Sequence, residues 1–275
     1  MRGILIYDKA GKRRNEWFIS RLIESAKIRG CELRLVICED GVDDAITPLP
    51  DFAIVRTICP ELNKRLEELG VITFNNHATS RVANDKWQTA LLARDLDVEI
   101  MDTILVDSDE DAKRLDYPLV WKAVDGHGGS EVFLVNNIEE CKQLTSYNSN
   151  KRFILQKLCD EPGIDMRVYV MGEKIVAATK RISKTDFRSN FSLGGNAVID
   201  TPTEDMITTI SKLKKALDFD FVGIDFIRNG GKWILNEIED VVGTRMLYSL
   251  TDIDAADRYI EYILDKVKEK LCTTN

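Results

Sequence analysis

The sequence predicts an α+β protein that opens with a small parallel α/β unit. Three features carry this expectation. Near the N-terminus, short apolar runs flank one amphipathic helical pattern, the strand–helix–strand rhythm of a parallel sheet. Beyond it, strands come in turn-linked pairs, as antiparallel sheets require. Amphipathic helices separate and close these pairs, so two or three subdomains fit the length of 275 residues.

The elements follow in order. "GILIYD" (3–8) reads as a short buried strand. "NEWFISRLIESAKIRG" (15–30) places Trp17, Phe18, Leu22, Ile23 and Ala26 at helical spacing, with Gly30 as a stop. "ELRLVIC" and "FAIVRTI" add strands and complete a unit over residues 1–76. No G-x-G-x-x-G follows the first strand, so this unit is not expected to bind a dinucleotide. "NDKWQTALLARDL" makes a helix capped by Asn84 or Asp85. "YPLVWKAVDGHGGSEVFLV" (117–135) reads as two strands joined by a glycine-rich turn, and "RFILQKL" as another strand. "DMRVYVMGEKIVAATKRI" (165–182) is a hairpin turning at Gly172, followed by a polar stretch over 183–197. "TEDMITTISKLKKAL" is a helix, "FVGIDFI" and "KWILNEIE" pair around residues 229–231, and "AADRYIEYILDKVKEKL" closes as an amphipathic helix. The expected divisions are 1–76, 77–155 and 156–275.

Composition narrows the function. A net charge of -8 argues against a general nucleic-acid surface. No apolar run approaches the roughly 18 residues of a membrane helix. "MRGILIYDKAGKRR" lacks a signal-peptide core, so a cytoplasmic protein is expected. The six cysteines form no C-x-x-C pair and only two histidines accompany them, which disfavours zinc.

Three stretches carry chemistry. In "WILNEIED", Glu237 and Glu239 share one strand face, and Asp225 lies on the partner strand. With a three-residue loop at 229–231, Asp225 would oppose Leu235 and stand diagonally to Glu237, roughly 7 Å away. Converging carboxylates suit a hard divalent cation, magnesium before zinc; the alternative is a solvated hairpin face. In "LVWKAVDGHGG", Lys122 sits in an apolar strand before Gly126, Gly128 and Gly129. That suits a phosphate, although a hairpin with a snorkelling lysine reads equally well. "FRSNFSLGGNA" offers Arg188 and Asn190 in a glycine-containing loop, either a phosphate holder or an ordinary surface loop.

Together with "NDKWQTALLAR" and "FILQKL…GIDMRVYVMGEKIVAATKR", these motifs resemble the ATP-grasp superfamily, and within it the RimK-type carboxylate–amine ligases, over residues 70–245. The resemblance implies ATP held between two α+β subdomains, behind an N-terminal pre-ATP-grasp unit. It implies that Lys122, helped by Lys86, contacts phosphates under the 126–130 loop. Gln156, Lys157 and Leu158 would receive adenine by backbone hydrogen bonds, and Asp165 would lie near the ribose. Arg188, Ser189 and Asn190 would line the triphosphate and acyl-phosphate region, with Arg167 and Arg181 as further cations. Asp225, Glu237 and Glu239 would bind Mg2+, with Mn2+ as a substitute.

The implied activity is ADP-forming ligation of a carboxylate and an amine, each a small molecule or peptide, with glutamate or another amino acid added. The implied protein is a homo-oligomer without nucleic-acid or membrane partners. A kinase and a non-catalytic ATP-binding regulator are the alternatives. Two positions depart from the family pattern. The metal motif reads Glu-x-Glu where Glu-x-Asn is usual, and "DVVGTRML" stands where Ser-Pro-Gly usually follows. Arg245 in that segment suits either a substrate carboxylate or a structural salt bridge.

Overall fold

The computed structural model describes residues 1–38, 46–108, 110–147, 151–183, 186–188 and 196–273. The N-terminal part runs β1 (Arg2–Tyr7), α1 (Lys9–Arg14), α2 (Glu16–Ile28), β2 (Glu32–Ile37), β3 (Phe52–Val55), α3 (Pro60–Glu68) and β4 (Ile72–Phe74). Its four strands are parallel in the order β2-β1-β3-β4. Parallel strands are normally covered on both faces, and β1 shows why its residues are almost all apolar. Leu5 and Tyr7 enter one core cluster while Ile4 and Ile6 enter another.

The middle part comprises α4 (His77–Ala83), α5 (Lys86–Asp95), β5 (Thr103–Val106), β6 (Leu119–Ala123), β7 (Val132–Val135), α6 (Ile138–Tyr147) and β8 (Phe153–Lys157). Its antiparallel sheet has the order β5-β8-β6-β7. Trp121 anchors it, stacked on Phe153 at 5.2 Å between ring centroids. Strand β8 belongs wholly to this sheet, so the sheet extends to Lys157 and crosses the division expected at 155. Asp85 caps α5 by accepting the Gln88 N–H at 2.8 Å, which settles the choice between Asn84 and Asp85.

The last part holds β9 (Ile164–Met171), β10 (Lys174–Ile182), β11 (Asn196–Asp200), α7 (Glu204–Leu217), β12 (Phe221–Asn229), β13 (Lys232–Glu239), α8 (Arg245–Leu250) and α9 (Ala255–Thr273). Its sheet is antiparallel in the order β11-β10-β9-β12-β13. One face is apolar: Met166, Val168, Val170, Ile224 and Phe226 join Met206, Ile210 and Leu213 of α7. The other face changes character along its strands. Tyr169, Met171 and Phe221 lie in a core shared with α9 and with Leu5, Tyr7 and Phe18 of the N-terminal unit. Further along, the same face carries Asp165, Arg167 and Asp225. The period-two alternation of side chains therefore puts a core and an ionic row on one surface.

The N-terminal unit is fastened here by Asn75. Its Oδ1 accepts the Asp220 and Phe221 N–H groups at 2.5 and 2.9 Å, and its Nδ2 donates to Asp240 Oδ1 at 2.6 Å. Among the described residues no helix is long and apolar enough to cross a membrane.

Phe221 is fully buried, with its ring 5.1 Å from that of Tyr259 on α9. Phe221→Ala should cost about 3–5 kcal/mol of stability, read from the urea midpoint at constant m-value.

Candidate active site

The site begins with register. The β12–β13 turn is the two-residue Gly230–Gly231, both at positive φ, so Asn229 pairs with Lys232. This corrects the expected three-residue loop. The odd residue comes instead from a bulge, because the register shifts between Asp225 and Phe226 and Asn236 is the extra residue on β13. Asp225 therefore lies directly opposite Glu237, not Leu235. Oxygens of Asp225, Glu237 and Glu239 lie within 4.8 Å of one another. Three carboxylates at that spacing form the oxygen-rich donor set that a hard divalent cation requires.

Buried acids need partners, and the ionic row supplies them. Arg167 holds Asp225 with two bonds, Nε to Oδ1 at 2.8 Å and Nη2 to Oδ2 at 2.7 Å, and also reaches Glu239 Oε1 at 2.5 Å. Arg181 holds Asp165 through Nε and Nη2 at 2.5 and 2.7 Å, and its Nη2 reaches Asp225 Oδ2 at 2.7 Å. Burial alone would raise the Asp225 pKa, but the two guanidiniums outweigh it and hold the carboxyl low, at about 2. Glu239 goes the other way. Its burial, with Asp225 and Glu237 nearby, raises it despite Arg167.

Lys122 faces this cluster from the middle sheet. It is buried, and its Nζ donates to Gln156 Oε1 at 2.6 Å and to Asn236 Oδ1 at 3.0 Å. One side chain thus links β6 and β8 to the bulge of β13. Burial lowers its pKa to about 8. Lys86 opens α5, donates to the Gly126 carbonyl and stands 3.9 Å from Glu237 Oε2.

A cleft between the two antiparallel sheets gathers most of the expected residues. Lys86, Lys122, Gly126, Gly128, Gly129, Gln156, Lys157, Leu158, Asp165, Arg188 and Glu237 line it. Val120, Val132 and Ile227 give it an apolar wall. Gly128 and Gly129 adopt φ of +66° and +77°, which glycine tolerates without strain. Arg181 and Glu239 line an adjoining cavity with Gly128, Gly129 and Arg245.

Several expected residues stand in different company from that foreseen. Both Asp165 oxygens accept from Arg181, and the residue also lines the cleft. The Lys157 N–H already donates to the Asp102 carbonyl at 3.0 Å, and Gln156 is flanked by Thr103 and Val120 in the sheet. Arg188 forms an ion pair with Asp186 at 2.6 Å and donates to the Gly129 carbonyl at 2.8 Å, tying its segment to the glycine turn. Ser189 and Asn190 lie outside the described residues. Asn236, Phe187 and Cys159 line the cleft although sequence reasoning assigned them nothing. For Asn236 the signal was there, an amide set between acids on a strand face.

The D-alanine–D-alanine ligase of Bacillus anthracis, solved with ATP, superposes with a TM-score of 0.79 at 16% identity, covering 100% of each chain. That likeness establishes the ATP-grasp fold. The model of the RimK-like ATP-grasp domain matches residues 83–263, and the chain belongs to that family. The family's reaction class is ATP-dependent, ADP-forming carboxylate–amine ligation, and the kinase and regulatory alternatives find no support. A probable alpha-L-glutamate ligase of Legionella pneumophila (strain Corby) is 27% identical over 80% of this chain and 79% of its own. The glutamate–LysW ligase ArgX of Sulfurisphaera tokodaii is 27% identical over 96% of this chain and 98% of its own.

The lowered Lys122 pKa has a measurable consequence. Below about pH 8 the folded and unfolded states both carry the proton. Between about 8 and the ordinary 10.5, the unfolded chain still holds the proton that the folded chain has released, so stability rises with pH across that window. Lys122→Met should lack this increment. The difference in urea midpoint between parent and variant, followed from pH 7 to about 10.5, reads it.

Proposed function

We propose that the cleft holds ATP and joins a substrate carboxylate to an amine through an acyl phosphate. One observation carries the reading: a three-carboxylate cluster and a buried lysine face each other across a glycine-capped cleft. The apolar wall of Val120, Val132 and Ile227 suits adenine, and Leu158, beyond the end of β8, suits its backbone contact. Lys122 and Lys86 offer positive charge to the phosphates, and the N–H groups of the glycine turn can approach them closely. Arg188, bonded to Asp186 and the Gly129 carbonyl at the cleft, would add charge for the phosphates. Arg181, with Ser189 and Asn190, is assigned to the acyl-phosphate end.

Asp225, Glu237 and Glu239 would hold magnesium, with manganese as a substitute, since all three present the oxygen donors both ions prefer. When bound, that ion supplies charge neutralisation and a template for phosphate oxygens. The chain's own part is preorganisation. Arg167 and Arg181 fix the orientation of Asp225, Arg167 also holds Glu239, and Lys122 would meet the negative charge that develops. In the reaction, a substrate carboxylate oxygen attacks the γ-phosphorus and ADP leaves. The amine then attacks the acyl carbon and phosphate leaves, so no nucleophilic side chain is needed. The named relatives point to glutamate as one substrate. A cytoplasmic homo-oligomer that uses small-molecule or peptide substrates completes the proposal.

Magnesium titration of ADP release in two variants tests it. Glu237→Ala should lose nearly all turnover. Glu239→Asn keeps an oxygen donor, so it should stay active but need more magnesium. A Glu237→Ala enzyme that matches the parent at every magnesium concentration would mean the acids serve only the ionic row and hold no metal. Lys122→Met should weaken ATP binding by roughly ten-fold or more, the scale of one charge-assisted contact, with calorimetry as the readout.

A further inference from the structure

A cavity of about 520 Å³ lies where the N-terminal unit meets the carboxylate cluster and the segment after β13. It adjoins the cleft and shares Lys86, Gly126, Gly128 and Glu237 with it. His127 lines this cavity from the glycine turn. Three bonds pin the backbone around it. Lys86 donates to the Gly126 carbonyl, Ser130 Oγ to the His127 carbonyl at 3.1 Å, and Arg188 to the Gly129 carbonyl at 2.8 Å. The imidazole is thus presented to the cavity from a fixed turn. Neither of its ring nitrogens has a hydrogen bond among the described residues.

Amide formation requires a proton acceptor. An amine is mostly protonated near neutral pH, and an ammonium has no lone pair with which to attack an acyl phosphate. A base must therefore stand where the amine arrives. The carboxylates around the cavity are engaged. Glu237 faces Lys86 at 3.9 Å, Glu239 takes Arg167, and Asp240 accepts from Asn75 and Asn84. Asp8 accepts from the Gly11 N–H at 2.6 Å and from Thr57 at 3.1 Å. Burial alone would raise its pKa, but these bonds hold it below the ordinary carboxylate range, which makes Asp8 a weak base. Arg14, Arg56 and Arg245 also line the cavity, and a guanidinium cannot accept a proton. His77, the other histidine, lies at the start of α4 and lines neither the cleft nor this cavity. His127 differs from all of these. Partial desolvation, and then the positive charge of Lys86, lower its pKa against the opposing pull of Glu237, Asp125 and Glu131. Its imidazole is therefore neutral at neutral pH, with a lone pair on one ring nitrogen.

We propose that His127 is the general base of the ligation step, taking a proton from the amine substrate as it enters from this cavity. The inference rests on the ligase reading and adds a catalytic residue to it. One ring nitrogen accepts a proton from the ammonium, and the freed lone pair forms the new bond to the acyl carbon. As the tetrahedral intermediate collapses, the bond from that carbon to the phosphate oxygen breaks. Phosphate leaves with the electron pair and takes the second proton from nitrogen. His127 then returns its own proton to solvent through the cavity.

ADP release by the whole chain with magnesium and ATP tests this. N-acetyl-L-glutamate serves as the acid, and either L-glutamate or hydroxylamine as the amine. Hydroxylamine is already a free base at neutral pH, so it does not need His127 to take its proton. With glutamate as the amine, His127→Asn should lose about 100-fold or more in kcat, the weight of general base catalysis. With hydroxylamine it should keep most of the parent rate. Imidazole added to His127→Ala should restore part of the glutamate rate. Calorimetry should find the affinity for a non-hydrolysable ATP analogue unchanged, and thermal unfolding checks that the variants fold. Equal losses with both amines, or no loss with glutamate, would overturn the inference and leave the ligase reading standing. Weakened binding of the analogue would overturn it too, by making His127 a phosphate ligand. A parent that releases no ADP with either amine would take down both.

Discussion

Everything at this site hangs on the buried pairing of Arg167 and Arg181 with Asp165, Asp225 and Glu239. Charges removed from water cost several kcal/mol each unless geometry and hydrogen bonding compensate. The antiparallel sheet provides the geometry. Arg167 lies opposite Asp225 across β9–β12, Asp165 lies opposite Arg181 across β9–β10, and Asp225 lies opposite Glu237 across β12–β13. Each guanidinium engages two carboxylates, and Asp225 is gripped by both. The result is a rigid acidic floor that keeps Asp225 ionised although it is almost wholly buried. Removing either arginine would leave Asp225 with one guanidinium in place of two, a destabilising change for a buried carboxylate.

The second constraint is the linkage across the cleft. Lys122 belongs to the middle sheet, yet it donates to Asn236 of the large sheet. Arg188 ties the segment after β10 to the glycine turn between β6 and β7. These contacts bring together the parts that an ATP-using ligase must close around its nucleotide. They also place polar groups in a low-dielectric space, where oriented charge acts more strongly than in water. The N-terminal unit adds the third wall, and Arg56 and Asn75 hold it there through backbone groups and Asp240.

Much of this was legible in the residues themselves, and the remainder shows what local pattern omits. The alternation in "IDMRVYVM" exposes Asp165 and Arg167 as one polar face of an otherwise apolar strand, because strand periodicity is a local property. Lys122 stood out for the same reason. Register is not local. The bulge at Asn236 and the two-residue turn at Gly230–Gly231 together bring Asp225 opposite Glu237, and neither follows from spacing alone. Pairing is not local either. Asp165 lines the cleft, and its two bonds from Arg181 on the next strand do not follow from sequence spacing. The Lys157 N–H likewise meets the carbonyl of Asp102, fifty-five residues away in sequence but adjacent in the sheet. Arg245 had stood equally for a structural salt bridge, and no such bridge exists among the described residues.

In the proposed reaction the cleft activates a carboxylate as an acyl phosphate. Oxygen-18 in the substrate carboxylate tests this most directly, with mass spectrometry of the released phosphate. Transfer of one labelled oxygen into phosphate, alongside ADP, is the predicted result. Unlabelled phosphate, or AMP and pyrophosphate as products, would contradict it.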